Sequence, residues 1–273
     1  MTTRARLLGN DRRFTGEGAF WDGDGLLWVD IWAGHVLRTD RSGRTEILWV
    51  TMPPVGFAVA VVDGLLVGAG LDIVHVGAGG ARRVVEVTGA APDSRLNDGA
   101  IDAAGRLWFG TVTPRGTDSS VFRYAAERLD LVWSGLEVAN GMDWSPDGEV
   151  MYVADTGTGV VHWARHDPAT GEVGALEEWA ARAPGAPDGL CVAPDGGLWL
   201  AEIFTGSVVE LVAGEVRRTV TVDCPRVTSV ACASGPGDPL ELWITTGRKD
   251  LTPEQLRKHP ESGSLFVARP DGA

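Results

Sequence analysis

Asn140-Gly141-Met142-Asp143-Trp144, then Ser145-Pro146-Asp147-Gly148, then Val150-Met151-Tyr152-Val153-Ala154-Asp155 reads as one β-hairpin. Two short apolar runs flank a Pro-Asp-Gly turn, in which proline presets φ and glycine supplies the left-handed position. The apolar triplet Met151-Tyr152-Val153 opening the second run has five counterparts: Leu27-Trp28-Val29, Leu65-Leu66-Val67, Leu107-Trp108-Phe109, Leu198-Trp199-Leu200 and Leu242-Trp243-Ile244. They recur about every 40–45 residues, the length of one four-stranded propeller blade. Turns precede five of them, at Asp22-Gly23-Asp24-Gly25, Asp63-Gly64, Ala103-Ala104-Gly105, Ser145-Pro146-Asp147-Gly148 and Ala193-Pro194-Asp195-Gly196. A further strand follows each triplet, as in Gly206-Ser207-Val208-Val209-Glu210-Leu211.

Six units predict an all-β chain, a six-bladed β-propeller filling residues 1–273 as one domain. The stray apolar piece Ala5-Arg6-Leu7-Leu8 lacks a preceding partner and is assigned as the outer strand of the last blade, closing the ring. A solenoid of the same period would need distinct capping repeats, and none is visible. Helix is expected only at Thr252–Lys258 and at Leu176–Arg182.

The balance of 24 Lys and Arg against 37 Asp and Glu gives a net charge of −13. This argues against nucleic acid or an anionic membrane as partner, since both need a basic footprint. No apolar leader follows Met1 and no run is long enough to span a bilayer. Cys191, Cys224 and Cys232 are odd in number and lack metal-type spacing, so free thiols in a reducing compartment, the cytoplasm, are expected.

Aligning the units on the first residue of each innermost strand gives one position per blade: Glu17, Val55, Asp98, Asn140, Asp188 and Thr228. In a propeller these point to the central axis. Four are carboxylates or an amide, and converging anionic oxygens repel unless a cation sits among them. An oxygen-only set suits calcium, magnesium or manganese before zinc. Asp-Gly and Asn-Gly are also common turn dipeptides, but the hairpin turns already lie at the other end of each strand. Asp30, Asp155 and Glu202 end the second strands near the same mouth, as outer partners of the ring or as solvated carboxylates. The triplet tryptophans are assigned to blade packing, with Trp21, Trp32 and Trp144 as candidate pocket residues.

Gly16-Glu17-Gly18, Arg95-Leu96-Asn97-Asp98-Gly99, Asn140-Gly141-Met142-Asp143-Trp144, Pro187-Asp188-Gly189 and Ser262-Gly263-Ser264-Leu265-Phe266 together resemble the senescence-marker-protein, regucalcin and gluconolactonase family along essentially the whole chain. The resemblance implies one divalent ion held by Glu17, Asn140 and Asp188, with calcium first and manganese, magnesium or zinc as alternatives. It implies substrate contacts from Arg95 and Asn97, and puts Asp98 beside the metal's water shell. The implied activity is hydrolysis of an aldonolactone or similar small cyclic ester, by a monomer or weak homo-oligomer. Asp188 is the candidate general base, with Asp98 behind it, and Arg95 stabilises the oxyanion. The chain departs from the family at Val112-Thr113-Pro114-Arg115-Gly116, where mammalian-type members carry a substrate-contacting Glu. That departure leaves room for a different lactone, or for another reaction at the same metal site, such as phosphoester or phosphofluoridate hydrolysis, cyclisation or isomerisation. A non-catalytic calcium-binding propeller is the alternative of a different class.

Overall fold

The computed structural model describes residues 2–180, 185–233 and 239–270. Six antiparallel sheets form the six blades of a β-propeller. Blade one runs through Gly16–Trp21, Gly25–Asp30, His35–Asp40 and Thr45–Val50, and blade two through Val55–Val61, Gly64–Ala69, Asp72–Gly77 and Gly80–Glu86. Blade three comprises Arg95–Ile101, Leu107–Val112, Ser119–Ala125 and Arg128–Leu136. Blade four comprises Ala139–Trp144, Val150–Asp155, Val160–Arg165 and Glu177–Ala180. Blade five comprises Ala186–Val192, Leu198–Ile203, Ser207–Val212 and Glu215–Thr221. Blade six uses Val227–Ala233, Glu241–Thr246 and Leu265–Ala268, completed by Arg6–Leu8 from the start of the chain. Thr2–Arg4 adds a parallel fifth strand to the rim of blade five, a pairing not anticipated from the sequence.

The hairpin turns work as their composition dictates. Asp22 accepts from the backbone N–H groups of Asp24 and Gly25 at 3.0 and 2.9 Å, Asp147 from Glu149 at 3.0 Å, and Asp195 from Gly197 at 3.1 Å. The side chain of the turn aspartate stands in for a backbone acceptor. The triplet tryptophans Trp28, Trp108, Trp199 and Trp243 are fully buried between blades. The indole N–H groups of Trp28, Trp108 and Trp243 donate to Thr39, Asp102 and Glu241, while that of Trp199 has no hydrogen-bond partner among the described residues.

Two local expectations fail. Leu176–Arg182 contains the strand Glu177–Ala180, paired with Val161–Trp163, while Ala181 and Arg182 lie outside the described residues. Its Leu, Glu and Ala favour helix, but the open edge of blade four decides. The helix Pro253–Lys258 does form, with a capping box between Thr252 and Gln255. Cys191 and Cys232 are not free thiols: they form a disulfide, and Cys224 alone remains a free cysteine, buried. They lie on adjacent inner strands 41 residues apart but one step out of register: Cys191 stands opposite Trp199, whereas Ala231, not Cys232, stands opposite Trp243. No described helix is long and apolar enough to cross a membrane.

Candidate functional site

Each innermost strand carries one residue more than its partner at the ring position. The register slips between Glu17 and Phe20, Val55 and Phe57, Leu96 and Gly99, Ala139 and Met142, Pro187 and Leu190, and Val227 and Ser229. A β-bulge of this kind bends the strand and re-aims a side chain. Six bulges at one level therefore build a ring of side chains at one mouth of the channel.

The glycines following the ring residues answer the turn-or-ligand question. A Cβ on Gly56 would lie 2.5 Å from the carbonyl oxygens of Leu96 and Asn97, and one on Gly189 would lie 2.1 Å from Ser229 Oγ. At Gly56 and Gly189 the inner strands approach too closely for a side chain, whereas Gly18 is required by its φ of +59°. Gly56 and Gly189 mark contact between blades rather than turns.

Glu17, Asn140 and Asp188 are all buried. The Asn140 amide donates to Thr156 Oγ1 at 2.9 Å and, in a very short contact, to Asp188 Oδ1. Both amide hydrogens are thus committed, and Asn140 offers Oδ1 to any further partner. Glu17 accepts from the Gly18 N–H at 3.0 Å. Burial pushes the Glu17 carboxyl well above its usual range, and repulsion from Asp188 and Asp98 adds to this. Burial lifts Asp188 to about 7 against the pull of Arg226, with Asp98 repelling it further. Burial likewise raises Asp98 to about 6, opposed by the Gly99 N–H. Burial pulls Arg95 down to about 10, while Glu17 and Asp188 favour its charged form.

Among the described residues no three His, Cys, Asp or Glu side chains are grouped so as to hold a metal. The ring offers two carboxylates and an amide oxygen instead. Carboxylates this deeply buried are held near neutrality only by sharing protons or by a cation, and an oxygen donor set fits a hard divalent ion.

Of the substrate-facing expectations, Arg95 lines a cavity of about 460 Å³ with Trp32, Pro54, Val112, Thr113 and Lys249. Asn97 is buried and donates to the Ala139 carbonyl at 3.0 Å, tying blade three to blade four. Trp21 faces a separate cavity of about 180 Å³ inside the channel, where Asp98, Asp143 and the Cys191–Cys232 bridge also lie. Trp144 lines neither cavity; it packs edge-on against Trp108.

Asp30, Asp155 and Glu202 are neither ring partners nor solvated. All are buried, and each braces the segment that leads into a ring strand. Asp30 accepts from the N–H groups of Phe14 and Thr15, both at 3.0 Å. Asp155 accepts from Glu137 at 3.0 Å and Val138 at 2.8 Å. Glu202 accepts from Gly185 at 3.5 Å and from the Ser207 hydroxyl at 2.9 Å. The braced residues stand two or three positions before Glu17, Asn140 and Asp188, so the second strand of each blade fixes its own ring residue.

Sequence reasoning missed Arg226, whose charge acts on Asp188, and Lys249. Neither falls in the repeat register, which was the signal that found the others.

A six-bladed propeller with buried carboxylates and an amide ringed at one mouth, an arginine beside them and an open cavity outside defines the class. The chain matches the SMP-30/Gluconolactonase/LRE-like region over residues 15–248 and belongs to that family. It is 28% identical to the Bacillus subtilis protein named "Putative sugar lactone lactonase YvrE", covering 97% of this chain and 94% of that protein. It is also 28% identical to human regucalcin, covering 92% and 89%. Its fold is similar to a calcium-binding regucalcin from Agrobacterium tumefaciens, with a TM-score of 0.89, 21% identity, and 98% and 94% coverage. It is similar also to a Xanthomonas campestris gluconolactonase, with a TM-score of 0.74, 22% identity, and 96% and 89% coverage.

Proposed function

We propose that this chain is a metal-dependent lactonase acting on sugar lactones or related small cyclic esters. The observation that carries the reading is the burial of Glu17 and Asp188 with Asn140 at one mouth, next to Arg95 and the outer cavity. Glu17, Asp188 and Oδ1 of Asn140 would hold one divalent ion, calcium first by donor chemistry. Such an ion supplies Lewis acidity and lowers the pKa of a bound water.

The residues of the chain do the rest. Arg95, whose charge is favoured by Glu17 and Asp188, donates to the lactone carbonyl as negative charge grows on that oxygen. Water attacks the carbonyl carbon and its proton passes to a ring carboxylate, Asp188 or Asp98. Collapse of the adduct breaks the ring C–O bond, and the same carboxyl returns the proton to the departing alkoxide. Carboxyls lifted toward neutrality suit both halves of this exchange. Asn97, its amide N–H engaged by Ala139, presents Oδ1 to a substrate hydroxyl.

The test is acid release from a panel of aldonolactones by metal-stripped protein with calcium, manganese, magnesium or zinc restored. Turnover should appear only with metal, and Asp188→Ala should lose at least about a hundredfold of it while remaining folded. The name of the Agrobacterium regucalcin, a calcium-binding protein, favours a second reading, a cation site without chemistry. Tight calcium binding with no hydrolysis across the panel would select it.

A further inference from the structure

The chain carries a large excess of acid, yet basic groups gather at the mouth that bears the ring. Arg95 and Arg226 are matched inward, since the charge of each acts on the ring carboxylates. Lys249 is different. Its Nζ lies 5.6 Å from the centre of the Trp32 ring, and the Arg95 guanidinium lies 5.6 Å from the same ring. An indole with two cations on it, 40% exposed and lining the outer cavity, is an unusual surface for an acidic protein to build.

The counter-charge there is thin. Lys249 Nζ donates to Asp250 at 2.8 Å, but Asp250 is 61% exposed and also pairs with Arg226 at 3.4 Å. One solvated carboxylate thus serves two cations, and a bond so exposed to water exchanges readily for a better one. Asp93 is the single acid among the described lining residues of the cavity, and it is exposed to solvent. The wall formed by Val112, Thr113 and Pro114 carries no charge, and Thr113 spends its hydroxyl hydrogen on the Thr117 carbonyl at 2.7 Å. A neutral polyol needs polar partners on this wall. An anion needs a cation, and Lys249 supplies one.

We infer that the lactone this enzyme opens carries its own negative charge, a carboxylate or phosphate ester, held by Lys249 beside the Trp32 face. This rests on the lactonase reading. Lys249 is then the specificity-determining residue: it grips the charged end while the ester end reaches the ring.

The experiment uses matched pairs with the metal-loaded enzyme. D-glucono-1,4-lactone and D-glucaro-1,4-lactone differ only by a carboxylate at C6. D-glucono-1,5-lactone and its 6-phospho derivative differ only by a phosphate. The charged member of at least one pair should show a kcat/KM at least about tenfold higher, the worth of one charge-assisted hydrogen bond. Which pair discriminates tells carboxylate from phosphate. Lys249→Met should remove most of that preference through KM, with a much smaller loss on the neutral member, and Lys249→Glu should reverse it. Raising the salt concentration should shrink the preference. Equal or better turnover of the neutral members, or equal losses on both in Lys249→Met, would overturn the inference while leaving the lactonase reading intact. If no lactone is hydrolysed, calorimetric titration with D-gluconate against neutral D-glucitol, and with D-glucose 6-phosphate against D-glucose, decides separately. Tighter binding of either anion that needs Lys249 would support the anion site and reject the lactonase reading, whereas no Lys249-dependent difference in either pair would reject both.

Discussion

Asp155→Asn is the sharpest test of how the ring is positioned. Asp155 is buried, and its Oδ1 accepts from the N–H groups of Val138 at 2.8 Å and Gly157 at 3.2 Å, while Oδ2 accepts from Glu137 at 3.0 Å. Asparagine keeps one acceptor and sets an amide donor against the other N–H. One orphaned buried donor costs about 1–3 kcal/mol, and the surviving bonds lose the benefit of an ionised acceptor, so the sum is about 3 kcal/mol. For a chain of this size each kcal/mol lowers Tm by about 2–3 °C, so scanning calorimetry should show a drop of about 6–9 °C. The damage is directional, because Glu137 and Val138 lead directly into Asn140, and Thr156, next to Asp155, accepts from the Asn140 amide. If the proposed site holds calcium, affinity measured by calorimetry at a temperature where the variant is fully folded should fall about tenfold, because Asn140 loses the support that aims it. A Tm within about 2 °C of the parent, or a lower Tm with unchanged calcium affinity, would refute the bracing role.

Gly189→Ala places a Cβ 2.1 Å from Ser229 Oγ and 2.7 Å from Ser229 Cα; the denaturation midpoint should fall by the equivalent of about 3 kcal/mol or more, with Ser229→Gly recovering part of it. Burial alone would raise the Asp102 carboxyl, but bonds from the Trp108 indole and from Arg106 outweigh it and hold the carboxyl below its usual range. Its contribution is therefore complete above the unfolded carboxylate range and is lost as pH falls through the lower, folded value. Asp102→Asn should flatten the acid limb of stability below about pH 4, and an unchanged limb would count against that assignment. Thiol titration of denatured, unreduced protein should find one reactive cysteine, Cys224, and peptide mapping should recover Cys191 joined to Cys232; three reactive thiols would contradict the bridge.

The fold was legible because the signal repeats. Each triplet alone is an ordinary apolar run, but six at one spacing leave few architectures. The ring positions were legible for the same reason, since register carries a position from one blade to the next. The bridge between Cys191 and Cys232 was not legible that way, because the two cysteines are one step out of register on neighbouring inner strands. Lys249 and Arg226 could not be found this way, because they sit on connections outside the period, where nothing local fixes which way a side chain faces. Asp155 and its counterparts read equally as outer partners of the ring or as solvated carboxylates, because a carboxylate's backbone partners are invisible until the chain has turned back on itself. Trp144 belongs to an inner strand, but its packing against Trp108 depends on how two blades meet, which no single repeat specifies.

Blades five and six are tied together at the hub and at the rim. At the hub, Cys191 and Cys232 bond one inner strand to the next; at the rim, Thr2–Arg4 lies along blade five while Arg6–Leu8 completes blade six. The clasp at the rim joins strands about 260 residues apart in sequence, so Arg6 has no strand to lie against until Val267 has been synthesised. Five blades can assemble as the chain grows, but the sixth stays one strand short until Arg6–Leu8 meets Leu265–Ala268. The circle is therefore fastened last and at one seam, and any change that keeps residues 2–8 from docking exposes the raw edges of two neighbouring sheets together.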